Sequence, residues 1–179
     1  MNIRVSGLLI LVILFWGSVR ADQVSEGAEK LLGAMTFLPA DDEIPGWKRS
    51  EKILRASNEE ELYKIFNGGA SLYIQHGYHS FVGQSYKGPK GLELEAQIFD
   101  QGTLQNADDL YENPYTKPTR MEEIPNLGEK ARIDMTPLFA YGIDLIQKGF
   151  FVRVMIQDKT EEGLNMAISF AQFISKRIK

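Results

Sequence analysis

His76 and His79 are the only imidazoles in the chain. Imidazole is the side chain best suited to ligate a metal or to move a proton near neutrality. A three-residue spacing would set both rings on one helical face, but Gly77 stands between them and breaks a helix there. A zinc site would need further ligands, and the sequence identifies none. The plain reading is therefore a helix-end His76 and a strand-surface His79. Gly83-Gln84-Ser85-Tyr86-Lys87 follows a nucleophile elbow for three residues and then lacks the second glycine. No phosphate-binding loop, dinucleotide fingerprint, zincin or EF-hand pattern occurs, and Asp41-Asp42-Glu43 and Asp108-Asp109 lack the interleaved ligand spacing calcium requires. With no cysteine, a thiol nucleophile, a thiolate metal site and a lipid-anchoring cysteine are all excluded.

Aromatic and cationic side chains offer binding chemistry instead. Tyr63, Phe66, Tyr73, Tyr78, Phe81 and Tyr86 either form a stacking platform for a sugar or another flat ligand, or fill a core. Phe99, Phe151 and Met155 lie on strand faces that the alternation turns outward. Either the segment from Gln23 to Met35 or the proline-rich loop covers them, or they line a cleft. Arg120, close to Tyr115 in that loop, is placed to hold an anion if it is more than solvated. The candidate binding residues are thus His76, His79, Tyr115, Arg120, Phe151 and Met155. No catalytic set, metal site or cofactor is indicated.

The elements that must position these groups are legible from the pattern. Gln23 to Met35 carries Val24, Ala28, Leu31, Leu32 and Met35 on one helical face. Trp47 to Arg55 reads as a first strand with poor alternation. Ser57, with Glu60 three residues on, reads as a capping box, and Glu59, Glu60 and Glu61 suit the positive end of a helix dipole. Apolar spacing runs from Leu62 through Asn67-Gly68-Gly69 to His76. It predicts one long helix stopped at Gly77, with the two glycines as a notch for a close neighbour, although each costs about 1 kcal/mol relative to alanine inside a helix. The alternative ends the helix at Asn67 and starts a strand at Ala70. Beyond Gly77 the period falls to two. Strands are expected over Tyr78–Tyr86 and Leu92–Phe99, the latter with Glu93, Glu95 and Gln97 outward, as in a sheet with one solvated face. Thr103 caps a short helix over Leu104–Glu112. Asn113 to Asn126 holds Pro114, Pro118 and Pro125 and has no period. Ala131–Met135 is a strand, and Ala140–Gln147 pairs with Phe150–Gln157 around Lys148-Gly149. Thr160 caps a final helix with a stripe of Leu164, Ala167, Ile168, Ala171, Ile174 and Ile178. The sum is an α+β single domain of about six mostly antiparallel strands with helices packed on the sheet.

Residues 1–21 have the form of an export signal: Arg4, an apolar run from Leu8 to Phe15, and Val19-Arg20-Ala21 as the cleavage motif. Cleavage after Ala21 is expected, an uncleaved amino-terminal anchor being the alternative. Residues 22–36 then form an amino-terminal helix or linker and 37–179 the domain. The whole chain has 20 basic and 24 acidic side chains, net −4; without Arg4 and Arg20 the charge is about −6. An acidic surface of this kind disfavours nucleic acid and anionic lipid as partners, and no second segment reaches membrane length.

In order, Leu38-Pro39, Gly46-Trp47, Leu62-Tyr63, Phe66-Asn67-Gly68-Gly69-Ala70, Leu72-Tyr73, Gly77-Tyr78 and Tyr86 resemble an uncharacterised family of exported bacterial proteins, catalogued as a domain of unknown function. Glu95 to Phe99, Leu127-Gly128, Lys148-Gly149-Phe150-Phe151-Val152 and the last amphipathic helix continue that resemblance. It spans about residues 37–178 and implies a continuous helix through Asn-Gly-Gly-Ala, but no reaction, cofactor or catalytic residue. The expectation is a periplasmic or secreted module that binds an envelope ligand or protein without catalysis. The alternatives are an enzyme with an acid, tyrosine and histidine site near Gly77, and a purely structural envelope protein.

Overall fold

The structure is a computed structural model that describes residues 31–178. The expected leader and the first part of the amino-terminal helix lie outside the described residues. Eight strands form one antiparallel sheet: β1 (Lys48–Arg49), β2 (Leu54–Ala56), β3 (Ser80–Lys87), β4 (Glu93–Asp100), β5 (Met121–Glu123), β6 (Lys130–Asp134), β7 (Tyr141–Gln147) and β8 (Phe150–Ile156). Their order is β1-β3-β4-β8-β7-β6-β5, with β2 following β1 along the same edge of β3. Four α-helices lie wholly within the described residues and pack on it: α1 (Glu59–Phe66), α2 (Ala70–Ile74), α3 (Leu104–Glu112) and α4 (Glu161–Arg177). The α+β reading holds, and the strand count rises from six to eight for two local reasons. Residues 50–53 face only Gln84 and Ser85 of β3, so the excess bulges out and divides the expected first strand. The proline-rich stretch is not structureless either, since β5 within it pairs with β6.

Helix α4 lies against β7 and β8. Its buried side chains are Ala167, Phe170, Ala171 and Ile174, with Leu164 and Ile168 half-buried around them. They meet Ile98, Ile143, Leu145, Val152, Val154 and Ile156, all buried. Thr160 caps the helix by accepting from Gly163 N–H at 3.1 Å. Residues 31–35 are helical, and they bury Leu31 and Ala34 against this core while Leu32 stays exposed. Arg177 secures the stretch that follows, donating to the carbonyl of Thr36 at 3.1 Å and to Glu43 at 2.7 Å.

The opposite face is not the solvated one that alternation suggested. A second core of Leu62, Ala70, Tyr73, Phe81, Phe99, Ala107, Leu110, Ile146 and Phe151 lies there, roofed by α1, α2 and α3. The cap of α1 is Asn58, which accepts from Glu61 N–H at 3.0 Å. Glu61, rather than Glu60, closes the box by accepting from Ser57 N–H at 2.7 Å. That bond holds its carboxyl below the ordinary carboxylate value, against the opposing effect of burial.

The single long helix is also corrected. Asn67 takes φ 50°, ψ −132°, one 3₁₀ turn over Asn67–Gly69 follows, and α2 restarts at Ala70. The two segments keep a shared apolar spacing, which favours a continuous helix over the alternative stop at Asn67; that stop is present, but a helix rather than a strand follows it. A Cβ at Gly68 would meet nothing within 4 Å, and one at Gly69 only Phe66 Cβ at 4.0 Å, so the glycines are no packing notch. Gly77 is the stop, as expected. It has φ +79°, and a Cβ there would lie 2.2 Å from Asn106 Nδ2.

Candidate functional site

Strand register divides the α1–α3 face into three cross-strand rows. Phe81, Phe99, Phe151 and Ile146 stand side by side in the first. All are buried, and Tyr73 stacks flat on Phe99 with centroids 3.9 Å apart. The second row runs Gly83, Gln97, Arg153, Asp144, Arg132 and Glu123. The third runs Ser85, Glu95, Met155, Gly142, Asp134 and Met121. The helices cover the first row; Glu95, Gln97, Arg153 and Met155 remain only half-buried. The roof thins over the charged row: Tyr111 of α3 and the Thr116 turn still cover Arg132, and Asp144 stays buried, while Gln97 and Arg153 are only half-buried.

The second row contains the most constrained chemistry of the chain. Asp144 is fully buried and accepts from two guanidinium groups. Arg153 reaches it with Nε at 2.7 Å and Nη2 at 2.9 Å. Arg132 reaches it with Nε at 3.2 Å and Nη2 at 3.1 Å. The Thr116 carbonyl accepts from both Nη2 groups, at 3.1 Å from Arg132 and 3.3 Å from Arg153. Arg132 also lies over the Tyr111 ring, 3.8 Å from its centroid, a favourable cation–π arrangement. Burial raises the Tyr111 phenol to about 12, although Arg132 pulls the other way. Burial works against the charge on Arg153, but the hydrogen bonds and charge of Asp144 prevail and raise its pKa. Arg132 Nη1 is buried without a partner among the described residues.

Thr116 is fixed by its own turn. Its N–H donates to Asn113 O at 3.0 Å, and its hydroxyl donates to the carbonyls of Asn113 and Leu110. The long loop is thus pinned above the arginine pair rather than mobile over it. A recess of about 230 Å³ lies on the third row and is lined by Ser50, Ser85, Glu95, Met155 and Gln157 among others. A larger crevice of about 690 Å³ lies where Tyr111 meets the β5–β6 hairpin.

The candidates read from the sequence do not converge. Phe151 is wholly buried in the first row; it lines no cleft, and neither the amino-terminal segment nor the proline-rich loop covers it, because α1, α2 and α3 do. Met155 does line the recess. His76 is half-buried, with Nδ1 2.7 Å from the Leu72 carbonyl and Nε2 3.4 Å from Asn113 Nδ2. His79 is exposed, its ring above Gly102 and its Nδ1 4.0 Å from Asp100 Oδ1. The two imidazoles take different partners. Tyr115 is 89% exposed. Arg120 is exposed and tied through its backbone to Thr136 Oγ1 and Met135 N–H. Of the aromatic platform, Phe66, Tyr73 and Phe81 pack with Phe99, while Tyr86 faces Phe170 on the other side. No group of three or more acidic or histidine side chains among the described residues is placed to hold a metal ion.

Sequence reading missed Arg132, Asp144 and Thr116. The hairpin turn at Lys148-Gly149 held the clue. A two-residue turn there pairs Gln147 with Phe150, and counting back sets Asp144 opposite Arg153.

No protein-family model matches the chain, and no curated protein matches it. Among solved structures it is similar to the extracellular domain of PknH from Mycobacterium tuberculosis, with a TM-score of 0.50 and 11% sequence identity. The likeness covers 83% of this chain and 96% of that one. At such identity the fold is what is shared. No helix among the described residues is long and apolar enough to cross a membrane.

Proposed function

We propose that this chain is an exported, non-enzymatic domain of the cell envelope that receives a small ligand on the unroofed part of its sheet. One observation supports this above all: three helices cover the first row and stop, leaving Gln97, Glu95, Met155 and Arg153 accessible beside a rigid charged cluster. Sites of this kind combine an apolar floor with a few oriented polar groups. Here the planar Gln97 amide, which donates to Glu95 at 2.8 Å, and the Arg153 fork supply the polar groups. Met155, which lines the recess, supplies the floor. Export follows from the leader-like first 21 residues and the resemblance to an exported family. The likeness to an extracellular domain agrees with an envelope location. Periplasmic or secreted placement and leader cleavage after Ala21 belong to the same reading.

The test is a thermal-shift screen of purified protein against envelope-type small molecules. A ligand that binds only the folded state raises the melting temperature by mass action, equivalent to about 2.7 kcal/mol at a hundred times Kd. The expected result is a hit whose effect is lost in Met155→Glu. A hit that is indifferent to this change would place the site elsewhere.

A further inference from the structure

We infer that Arg153, backed by Arg132, binds an oxyanion group, a carboxylate or a phosphate, carried by that ligand. This rests on the sheet-face reading and names the chemistry of its recognition. The first argument is charge. Two guanidinium groups share one buried carboxylate, so the Arg132–Asp144–Arg153 cluster keeps one uncompensated positive charge where side-chain exposure is 1%, 0% and 21%. Uncompensated charge in such a place is costly and draws a counter-ion. Asp134 adds through-space attraction on Arg153, but, Asp144 apart, neither it nor the other carboxylates of these rows hydrogen-bonds to either arginine. Glu95 accepts from Gln97, Asp134 accepts from Thr136 N–H, and Glu123, opposite Arg132, is exposed.

The second argument is hydrogen-bonding capacity. Arginine presents five N–H donors. Both side chains commit Nε and Nη2 to Asp144 and Thr116 and neither commits Nη1 to an acceptor among the described residues. In Arg132 that group is buried and unpartnered, and such a group calls for an ion or water to complete it. In Arg153 the side chain is partly exposed at the edge of the open row.

The guanidinium pair is also ordered in advance. Asp144 and the Thr116 carbonyl hold both guanidinium planes before any ligand arrives, which lowers the entropy lost on binding. Guanidinium is suited to two-point recognition of carboxylate and phosphate alike.

The test is a titration of the intact protein, at fixed ionic strength, with inorganic phosphate in one arm and succinate in the other. The readout is the Nε–Hε NMR signal of Arg153, assigned by its loss in Arg153→Gln, with sodium chloride as reference. The inference expects the Arg153 signal to move saturably over millimolar concentrations in at least one arm, while Arg49 stays still. It also expects a melting temperature that rises with the same midpoint and no rise in Arg153→Gln. The responding arm tells phosphate from carboxylate. An Arg153 signal that moves no more than that of Arg49, or no more than in chloride, would overturn the inference. So would a full thermal shift retained by Arg153→Gln. If a neutral ligand moves the Met155 methyl while neither oxyanion moves Arg153, the oxyanion inference fails and the sheet-face reading stands.

Discussion

The two faces of this sheet solve opposite problems with the same strands. Toward α4, β4, β7 and β8 present Ile98, Ile143, Leu145, Val152, Val154 and Ile156, and α4 closes over them together with Leu31, Ala34, Leu38 and Trp47 of the amino-terminal segment. Toward α1–α3 the same strands present Phe99, Ile146 and Phe151, then Gln97, Asp144 and Arg153, then Glu95, Gly142 and Met155. One face is stabilised by burying apolar area throughout. The other begins that way, changes to buried charge midway and ends half in solvent. The change falls within two residues along each strand, because side chains on one face recur at that interval. A face that could have been roofed completely with aliphatic residues instead carries ions that are costly to bury, which is the main physical reason to assign it a task beyond folding.

Four substitutions would break or sharpen this contrast. The largest effect is expected at Asp144, where Asp144→Ala strands two guanidinium groups in a dry site. Loss of one partner from a buried ionic cluster costs about 3–5 kcal/mol, here with a second arginine added, so equilibrium unfolding in urea should show a loss at the top of that range. Phe170→Ala probes the aliphatic face. Phe170 is wholly buried and packs edge-on against Trp47 and Tyr86, and its truncation should cost about 3–4 kcal/mol, with no change in the Arg153 NMR signal. Arg153→Met comes next. It leaves a neutral Arg132–Asp144 pair and keeps the apolar stem, so the expected loss is about 1–2 kcal/mol; a larger loss would mean the cluster serves stability first. The smallest effect is Glu61→Gln at the cap of α1, about 0.5–1 kcal/mol.

The Glu61 contribution carries a pH signature. Because its folded-state pKa is lowered, its stabilisation is present above the ordinary value of 4.5 and is lost as pH falls below it. The difference between wild type and Glu61→Gln should therefore shrink in that acid window. Tyr111 has the opposite sign. Its folded value near 12 lies above the ordinary 10, so the stability it contributes is lost as pH rises from 10 toward 12, and ultraviolet phenol titration should show it ionising late.

The α+β class, helices α3 and α4 and most strands were legible in the sequence because alternation and capping are local signals. Thr103 and Thr160 cap the helices their positions announce. What could not be read was set by distant partners. The stop at Asn67 is only the alternative reading because the apolar spacing continues on both sides of it. The second core was missed because alternation in β4 shows which residues share a face but not that α1–α3 will cover Phe99 and stop short of Gln97. Asp144 and Arg153 were each visible as a charge in mid-strand, and the hairpin register joins them. Arg132 and the Thr116 carbonyl join only through the β6–β7 pairing and the fold of the loop, for which no local pattern exists.

The most direct test of the division between the two faces is methyl NMR of the methionines during titration with a ligand found in the thermal-shift screen. Met155 lies on the open row and Met166 packs at the α4 face. The account predicts that the Met155 methyl signal moves saturably while that of Met166 stays still. Movement of Met166 with Met155 unchanged would contradict it.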